Sequence, residues 1–128
     1  MDLNQVTLPA LDVDSSVAFY RGLGFELIVS APHYARFKAT AGNASFSVHA
    51  VNALAEAPQT VIYFECATLD AVVAALQVRG VRFEREPVDE PWLWREARLR
   101  DPSGNPICLY HAGRNRLEPP WRVDAASR

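Results

Sequence analysis

The sequence predicts an α+β fold made of two tandem βαβββ modules. Each half contains one amphipathic helical segment, preceded by one short apolar strand and followed by three more. A shift of 56 residues places Asp14 on Asp70 and Gly24 on Gly80, without a gap over residues 5–27. Self-similarity at a fixed spacing is typical of a duplicated unit. We therefore expect one domain over residues 1–128, with modules at about 3–50 and 60–112, a linker at about 51–59 and a C-terminal arm at 113–128.

The first module is predicted as a strand, a helix and three strands. Leu3–Ala10 alternates apolar and polar residues, as a half-buried strand does. The helix is expected to have Asp14 or Ser15 as its N-cap and to end at Gly22 and Gly24. The three later strands are predicted at Phe25–Val29, Tyr34–Lys38 and Ser45–His49.

The second module repeats this order. Thr60–Cys66 is rich in β-branched and aromatic residues, and Thr68 is the expected N-cap of a helix with an apolar stripe at helical spacing. Asp101–Pro106 contains Asp-Pro and Gly-Asn, which indicates a hairpin turn. The other strands are predicted at Val81–Glu86, Trp92–Arg100 and Ile107–Tyr110, with a loop at Pro87–Pro91.

Composition excludes several classes of function. The net charge of −2 gives no attraction to nucleic acid or to an anionic membrane. No run of about 18 apolar residues is present, and the N-terminus lacks the features of a signal peptide. The two cysteines provide no disulfide framework. We expect a cytoplasmic protein with no nucleic-acid or membrane partner.

Short motifs in both halves follow a characteristic order. They are Val6-Thr7-Leu8, Ser16–Tyr20, Leu23-Gly24-Phe25, Phe64-Glu65, Leu69-Asp70, Arg79-Gly80-Val81 and Asp101–Asn105. The series, which covers about residues 3–112, resembles the vicinal oxygen chelate superfamily of glyoxalase I, extradiol dioxygenases, fosfomycin-resistance enzymes and bleomycin-resistance proteins. The resemblance implies a curved mixed sheet around a cleft. Trp92–Arg98 and Pro119–Arg122 resemble a bacterial subgroup and point to no particular reaction.

The resemblance also implies where a metal would be bound. Enzymes of the superfamily hold a divalent ion through one residue on the first and one on the last strand of each module. The corresponding residues here are Gln5, Ser47, Val61 and Cys108, and only Gln5 is an ordinary ligand at such a site. The last strands of the two modules can be aligned in two ways. If their core-facing residues are matched, Ser47 corresponds to Cys108, whereas matching the two Gly-Asn turns shifts the alignment by one residue. We prefer the alternation, because a one-residue slip exchanges the two faces of a strand.

The residues expected to face the cleft combine aromatic rings with a few polar groups, which suits a planar organic ligand. Arg98 is interpreted either as a partner for an anionic group or as half of an internal pair with Glu96 or Glu65. Glu65 is either a general base or a strand-end carboxylate paired with an arginine. The predicted ligand-binding residues are Gln5, Thr7, Ser47, His49, Tyr63, Glu65, Trp94, Arg98, Cys108 and Tyr110.

Two functions remain open at this point. The incomplete ligand set favours a protein that binds a small organic, aromatic ligand without a metal or other cofactor. The alternative is a divalent-metal-dependent lyase, isomerase or dioxygenase with an atypical ligand set that uses Gln5, His49 and Cys108. Proteins of this kind usually pair, so we expect a homodimer.

Overall fold

The computed structural model describes residues 3–56 and 59–122. Its elements are β1 (Gln5–Ala10), α1 (Val13–Gly22), β2 (Glu26–Ala31), β3 (Tyr34–Lys38), β4 (Ser45–Ala50), β5 (Ile62–Glu65), α2 (Leu69–Val78), β6 (Arg85–Asp89), β7 (Arg95–Arg100), β8 (Pro106–His111) and a 3-10 helix (Gly113–Arg116). The predicted α+β class and the order of two βαβββ modules are confirmed. None of the helices in these two ranges is long and apolar enough to cross a bilayer.

The strands form two four-stranded mixed sheets, in the orders β1-β4-β3-β2 and β5-β8-β7-β6. In each sheet the first and last strands of the module are parallel neighbours. The described residues form two compact units, residues 3–56, 59–61 and 100–106 in the first and residues 62–99 and 107–122 in the second. The bounds of α2 lie 56 residues after those of α1, which is the shift seen in the sequence.

Each helix is followed, two residues after its last residue, by a glycine with positive φ, as predicted for α1, but the predicted start of α1 is wrong. Gly24 has a φ of 103° and Gly80 a φ of 92°, a conformation that residues with a Cβ rarely adopt. The N-cap of α1 is Asp12, whose Oδ1 accepts hydrogen bonds from the backbone N–H of Asp14 at 3.0 Å and of Ser15 at 3.4 Å. Asp12 has the extended backbone that a cap requires, so the helix begins at Val13.

The prediction for β6 is wrong, because Pro87 lies in a strand rather than in a loop. The strand runs over Arg85–Asp89, at the edge of the second sheet. Its register with β7 shifts between Arg85 and Val88, which leaves Pro87 in an irregular segment where no ladder N–H is needed. β7 begins at Arg95 rather than at Trp92, because residues 90–94 form the hairpin loop before it.

The strand register resolves the alignment of the two last strands. Thr7 is opposite Ser47 in the first sheet, and Tyr63 is opposite Cys108 in the second. Thr7 and Tyr63 are equivalent under the 56-residue shift, so Ser47 and Cys108 occupy equivalent positions. The preference for core alternation over the Gly-Asn turns is confirmed.

The turn between β7 and β8 is anchored within the first unit by a buried carboxylate. Asp101, only 4% exposed, accepts hydrogen bonds from the Tyr20 hydroxyl at 2.8 Å, Ser103 N at 3.0 Å, Asn105 N at 2.8 Å and Asn105 Nδ2 at 2.7 Å. Burial, together with the Asp101 carboxylate, raises the pKa of Tyr20 far above its ordinary value. The turn is therefore joined to α1 through polar contacts that are shielded from water.

Candidate functional site

The aromatic face is the side of the second sheet formed by Tyr63, Trp94, Glu96, Arg98, Cys108 and Tyr110. Because side chains alternate along each strand, these side chains lie on one side of the sheet and the buried Ala97, Leu99, Ile107 and Leu109 lie on the other. The neighbouring Arg95 is on the other side of the sheet and contacts Asp70 of α2 at 2.9 Å. All six residues of the aromatic face belong to the second unit.

Three rings on this face form one group. Trp94 stacks on Tyr110 with their centroids 4.7 Å apart and an interplanar angle of 22°. Tyr63 stands nearly perpendicular to both rings, at 87°, with centroid distances of 6.0 Å to Trp94 and 5.7 Å to Tyr110. Such edge-to-face and stacked geometries are attractive, so the group is pre-organised. Tyr63 is 43% exposed and offers ring surface to a ligand.

A buried carboxylate lies next to this group. Glu96 is 2% exposed and accepts hydrogen bonds from Trp92 Nε1 at 2.5 Å and from Arg98 Nη2. The Arg98 guanidinium also lies 5.4 Å from the centroid of the Tyr63 ring. Burial acts to lower the pKa of Arg98, but the hydrogen bond to Tyr63 and the nearby Glu96 and Cys108 outweigh it and raise that pKa. Of the two interpretations of Arg98, the internal pair with Glu96 is the one that the structure shows.

The Cys108 thiol is buried and bonded to the same carboxylate. Its Sγ donates to Glu96 Oε1 at 3.2 Å, and the side chain is fully buried. Burial, followed by the hydrogen bond to Glu96, raises the pKa of Cys108 to about 12. The thiolate is the form that attacks electrophiles and binds soft metals, and it is scarce at neutral pH with such a pKa.

We predict that Cys108 resists thiol reagents in the folded protein. In a Cys66→Ser variant, which leaves Cys108 as the sole cysteine, reaction at pH 8 should be on the order of a thousandfold slower than after denaturation, because less thiolate is present. Absorbance of the released thiol chromophore measures both rates. Similar rates in the folded and denatured chain would contradict the assignment of an inert thiol.

Glu65 is a strand-end carboxylate with several partners. Its Oε2 accepts hydrogen bonds from the backbone N–H of Ala112 at 2.7 Å and of Gly113 at 2.9 Å. His111 Nδ1 lies 3.8 Å from Oε2, and Arg116 Nε lies 3.9 Å from Oε1. Burial acts to raise the pKa of Glu65, but these two hydrogen bonds and two basic groups lower it overall. A lowered pKa does not suit the role of general base that was one of the two interpretations.

The polar face is the side of the first sheet formed by Gln5, Thr7, Tyr34, Arg36, Ser47 and His49. Ser47 is fully buried and lies 2.7 Å from Gln5 Nε2 and 2.9 Å from Thr7 Oγ1. Sequence reasoning predicted these three residues and His49, which is exposed and lies opposite Tyr34 in the register.

Sequence reasoning missed two residues of the polar face, Tyr34 and Arg36. Arg36 is opposite Ser47 in the register, and its Nε donates to the Tyr34 hydroxyl at 2.9 Å. The signal was present in the sequence, because Tyr34, Arg36 and Lys38 alternate with buried Ala35 and Phe37 along β3.

The residues at the superfamily's metal positions do not fit a divalent ion. The Gln5 amide is hydrogen-bonded to Ser45 and Ser47, Val61 has no side-chain donor, and Cys108 is held as a thiol. Within residues 3–56 and 59–122, no three His, Cys, Asp or Glu side chains lie close enough together to hold a metal.

A shallow cavity of about 330 Å³ lies at the N-terminal end of α2, away from the aromatic face. None of the predicted ligand-binding residues lines it. Arg95, the main cation there, is bonded to Asp70 at 2.9 Å and to Asp89 at 3.0 Å, so its charge is already compensated. The cavity is lined by Ala67, Thr68, Leu69, Asp70, Ala71, Arg95 and His111.

The fold and the two sheet faces define a protein of the two-module βαβββ class. Residues 2–109 match the Glyoxalase/Bleomycin resistance protein/Dioxygenase superfamily, and the chain belongs to this superfamily. The resemblance to the vicinal oxygen chelate superfamily is thereby confirmed. No curated protein matches the sequence.

Solved structures show the same fold. A glyoxalase/bleomycin resistance protein/dioxygenase from Nocardioides is 25% identical, with a TM-score of 0.75 over 97% of this chain and 90% of that one. A lactoylglutathione lyase from Agrobacterium tumefaciens is 19% identical, with a TM-score of 0.75 over 91% of this chain and 96% of that one. A bleomycin-binding protein complexed with bleomycin is 22% identical, with a TM-score of 0.71 over 87% of this chain and 98% of that one.

Proposed function

We propose that this protein binds a small organic ligand with an aromatic ring on its aromatic face, without a metal, and acts as a binding protein rather than as an enzyme. The observation that carries the proposal is the group of Tyr63, Trp94 and Tyr110, whose rings are fixed by one another while Tyr63 remains 43% exposed. A planar ligand gains from stacking on rings that are already in place, because little conformational freedom is lost on binding.

The charges on the aromatic face indicate which ligands suit it. Arg98 is paired with Glu96, so the two charges compensate each other without a ligand. A charged ligand would have to compete with that pair, whereas a neutral aromatic ring leaves it intact. The fold relative solved with bleomycin supports the idea that this architecture can hold an organic molecule.

Titration with a neutral aromatic probe, 1-naphthol, tests the proposal. Trp94→Leu removes the stacked ring and keeps an apolar side chain, and it should weaken naphthol binding about 30-fold, the loss expected for an aromatic anchor worth about 2 kcal/mol. Heteronuclear NMR of the full chain measures the dissociation constant and shows which amides respond.

The matched control is Trp121→Leu, because Trp121 is 56% exposed and lies in the C-terminal arm. This variant should bind naphthol within about twofold of the unmodified chain, since Trp121 is not one of the three rings of the aromatic face. The proposal fails if neither 1-naphthol, indole nor bleomycin binds, or if the two tryptophan variants weaken binding equally.

The homodimer and the cytoplasmic location belong to the same proposal. Cys66 and Cys108, both free, are compatible with a reducing compartment. The pairing of two copies rests on the behaviour of related modules.

A further inference from the structure

We propose that the polar face of the first sheet binds an oxyanion, a carboxylate or a phosphate, through Arg36 and Tyr34. This inference does not depend on the proposed function, because every residue that it uses lies in the first unit. It assigns an oxyanion to a surface on which the sequence predicted Gln5, Thr7, Ser47 and His49 as contacts of an organic ligand.

Arg36 is a cation without an acidic partner among the residues that the structure describes. Arg85, Arg95, Arg98, Arg116 and Arg122 each lie within 4.0 Å of a carboxylate oxygen. Arg36 instead donates from Nε to the neutral Tyr34 hydroxyl at 2.9 Å, with its Cζ 5.5 Å from the centroid of the Tyr34 ring. This contact uses one of its five N–H donors and fixes the plane of the guanidinium.

The groups around Arg36 are donors or can become donors. Tyr34 accepts from Arg36, so its own O–H proton is free to point elsewhere. Ser47, directly opposite Arg36 in the register, is fully buried and bonded to Gln5 and Thr7, so it supports Tyr34 from behind and does not itself reach a ligand. A hydrogen bond with Ser47, and the Arg36 guanidinium, lower the pKa of Tyr34 despite the opposing effect of burial. A more acidic phenol donates a stronger hydrogen bond.

The charge on this face also favours an anion. Lys38 is two residues from Arg36 on the same side of β3, and Glu26 is opposite Lys38 on the adjacent strand. The acid is therefore nearest to Lys38 in the register, and Val29 is the residue of β2 that is opposite Arg36. A half-buried guanidinium beside an apolar neighbour and the Tyr34 hydroxyl suits the planar, charged end of a carboxylate or the oxygens of a phosphate.

The comparison of benzoate, phenyl phosphate and benzamide tests this site. Benzamide has nearly the same shape as benzoate but no charge, so benzoate should bind the full chain at least about tenfold more tightly. Residues of β3 and β4 should show the amide shifts in heteronuclear NMR. Benzoate affinity should fall as salt is added, because the contact is electrostatic. A preference for phenyl phosphate over benzoate would identify phosphate as the oxyanion.

Arg36→Gln should weaken benzoate at least about tenfold, since it removes the charged donor. The matched control, Arg21→Gln, makes the same change of charge on the exposed side of α1 and should leave benzoate binding unchanged. Arg36→Lys keeps the positive charge, so it should lose less benzoate affinity than Arg36→Gln. It replaces Arg36→Gln in the test if the glutamine variant does not fold.

The proposal is overturned if benzoate and benzamide bind equally, or if neither benzoate nor phenyl phosphate binds at millimolar concentration. It is also overturned if Arg36→Gln and Arg21→Gln reduce the affinity for benzoate to the same degree. Naphthol binding separates this inference from the proposed function. Naphthol affinity should be unchanged in Arg36→Gln and about 30-fold weaker in Trp94→Leu, so each proposal is tested by its own variant.

Discussion

Asp101→Ala is expected to lower the free energy of unfolding by about 3–5 kcal/mol, the range for loss of a buried hydrogen-bond network. The carboxylate receives four hydrogen bonds, from Tyr20, Ser103 and both nitrogens of Asn105. Alanine leaves all four donors without this acceptor in a site where Asp101 is only 4% exposed. Chemical denaturation followed by circular dichroism measures the change.

Two further variants make this prediction specific. Tyr20→Phe removes a single donor and leaves the other three bonds to Asp101, so it should cost about 1 kcal/mol. Asp14→Ala removes an exposed carboxylate from the first turn of α1 and should also cost no more than about 1 kcal/mol. A cost for Asp101→Ala no larger than that of Tyr20→Phe would show that the network does not hold the turn.

Glu96→Gln is expected to cost about 2–4 kcal/mol, because an amide cannot accept at both oxygen positions. Glu96 is surrounded by donors, with Trp92 on one oxygen and Arg98 and Cys108 on the other. The glutamine variant has the same shape but turns an N–H₂ group toward at least one of these donors. Thermal denaturation of the variant beside the unmodified chain measures the loss.

The same substitution has a second, independent readout. Besides burial, the hydrogen bond to Glu96 and the charge of its carboxylate raise the pKa of Cys108, so a neutral amide at this position should lower that pKa and speed the reaction of the thiol. Glu86→Gln, at an exposed carboxylate on β6, is the matched control and should change neither stability nor thiol reactivity measurably. If the reactivity of Cys108 is unchanged in Glu96→Gln, the proposed effect of Glu96 on the Cys108 thiol is wrong.

Local sequence signals were sufficient for most of the fold. The turn residues Gly24 and Gly80 marked the helix ends, and alternation identified the inward faces of β1, β4 and β8. The prediction failed at Pro87. Proline normally interrupts a strand, but it is tolerated at a sheet edge where the register shifts, as it does here. The N-cap was misplaced by two or three residues because Asp12, Asp14 and Ser15 are all good caps.

The candidate site was harder to predict, because it depends on which side chain reaches which partner. Alternation put Arg98 and Glu96 on one face, but only the structure shows that they pair and that Arg36 has no carboxylate beside it among the described residues. The contact between Tyr20 and Asp101 joins residues 81 apart, and no periodicity in the sequence contains it. The incomplete metal-ligand set was visible from the sequence, since it depends on residue type alone.

Affinity for 1-naphthol before and after treatment with a chelator is the most direct measurement of the central claim. We predict the same dissociation constant in both states, with no gain when zinc or manganese is added back, because Tyr63, Trp94 and Tyr110 supply the contact themselves. Binding that disappears with the chelator and returns with the ion would contradict the account, and would make the metal-dependent alternative the better description of this protein.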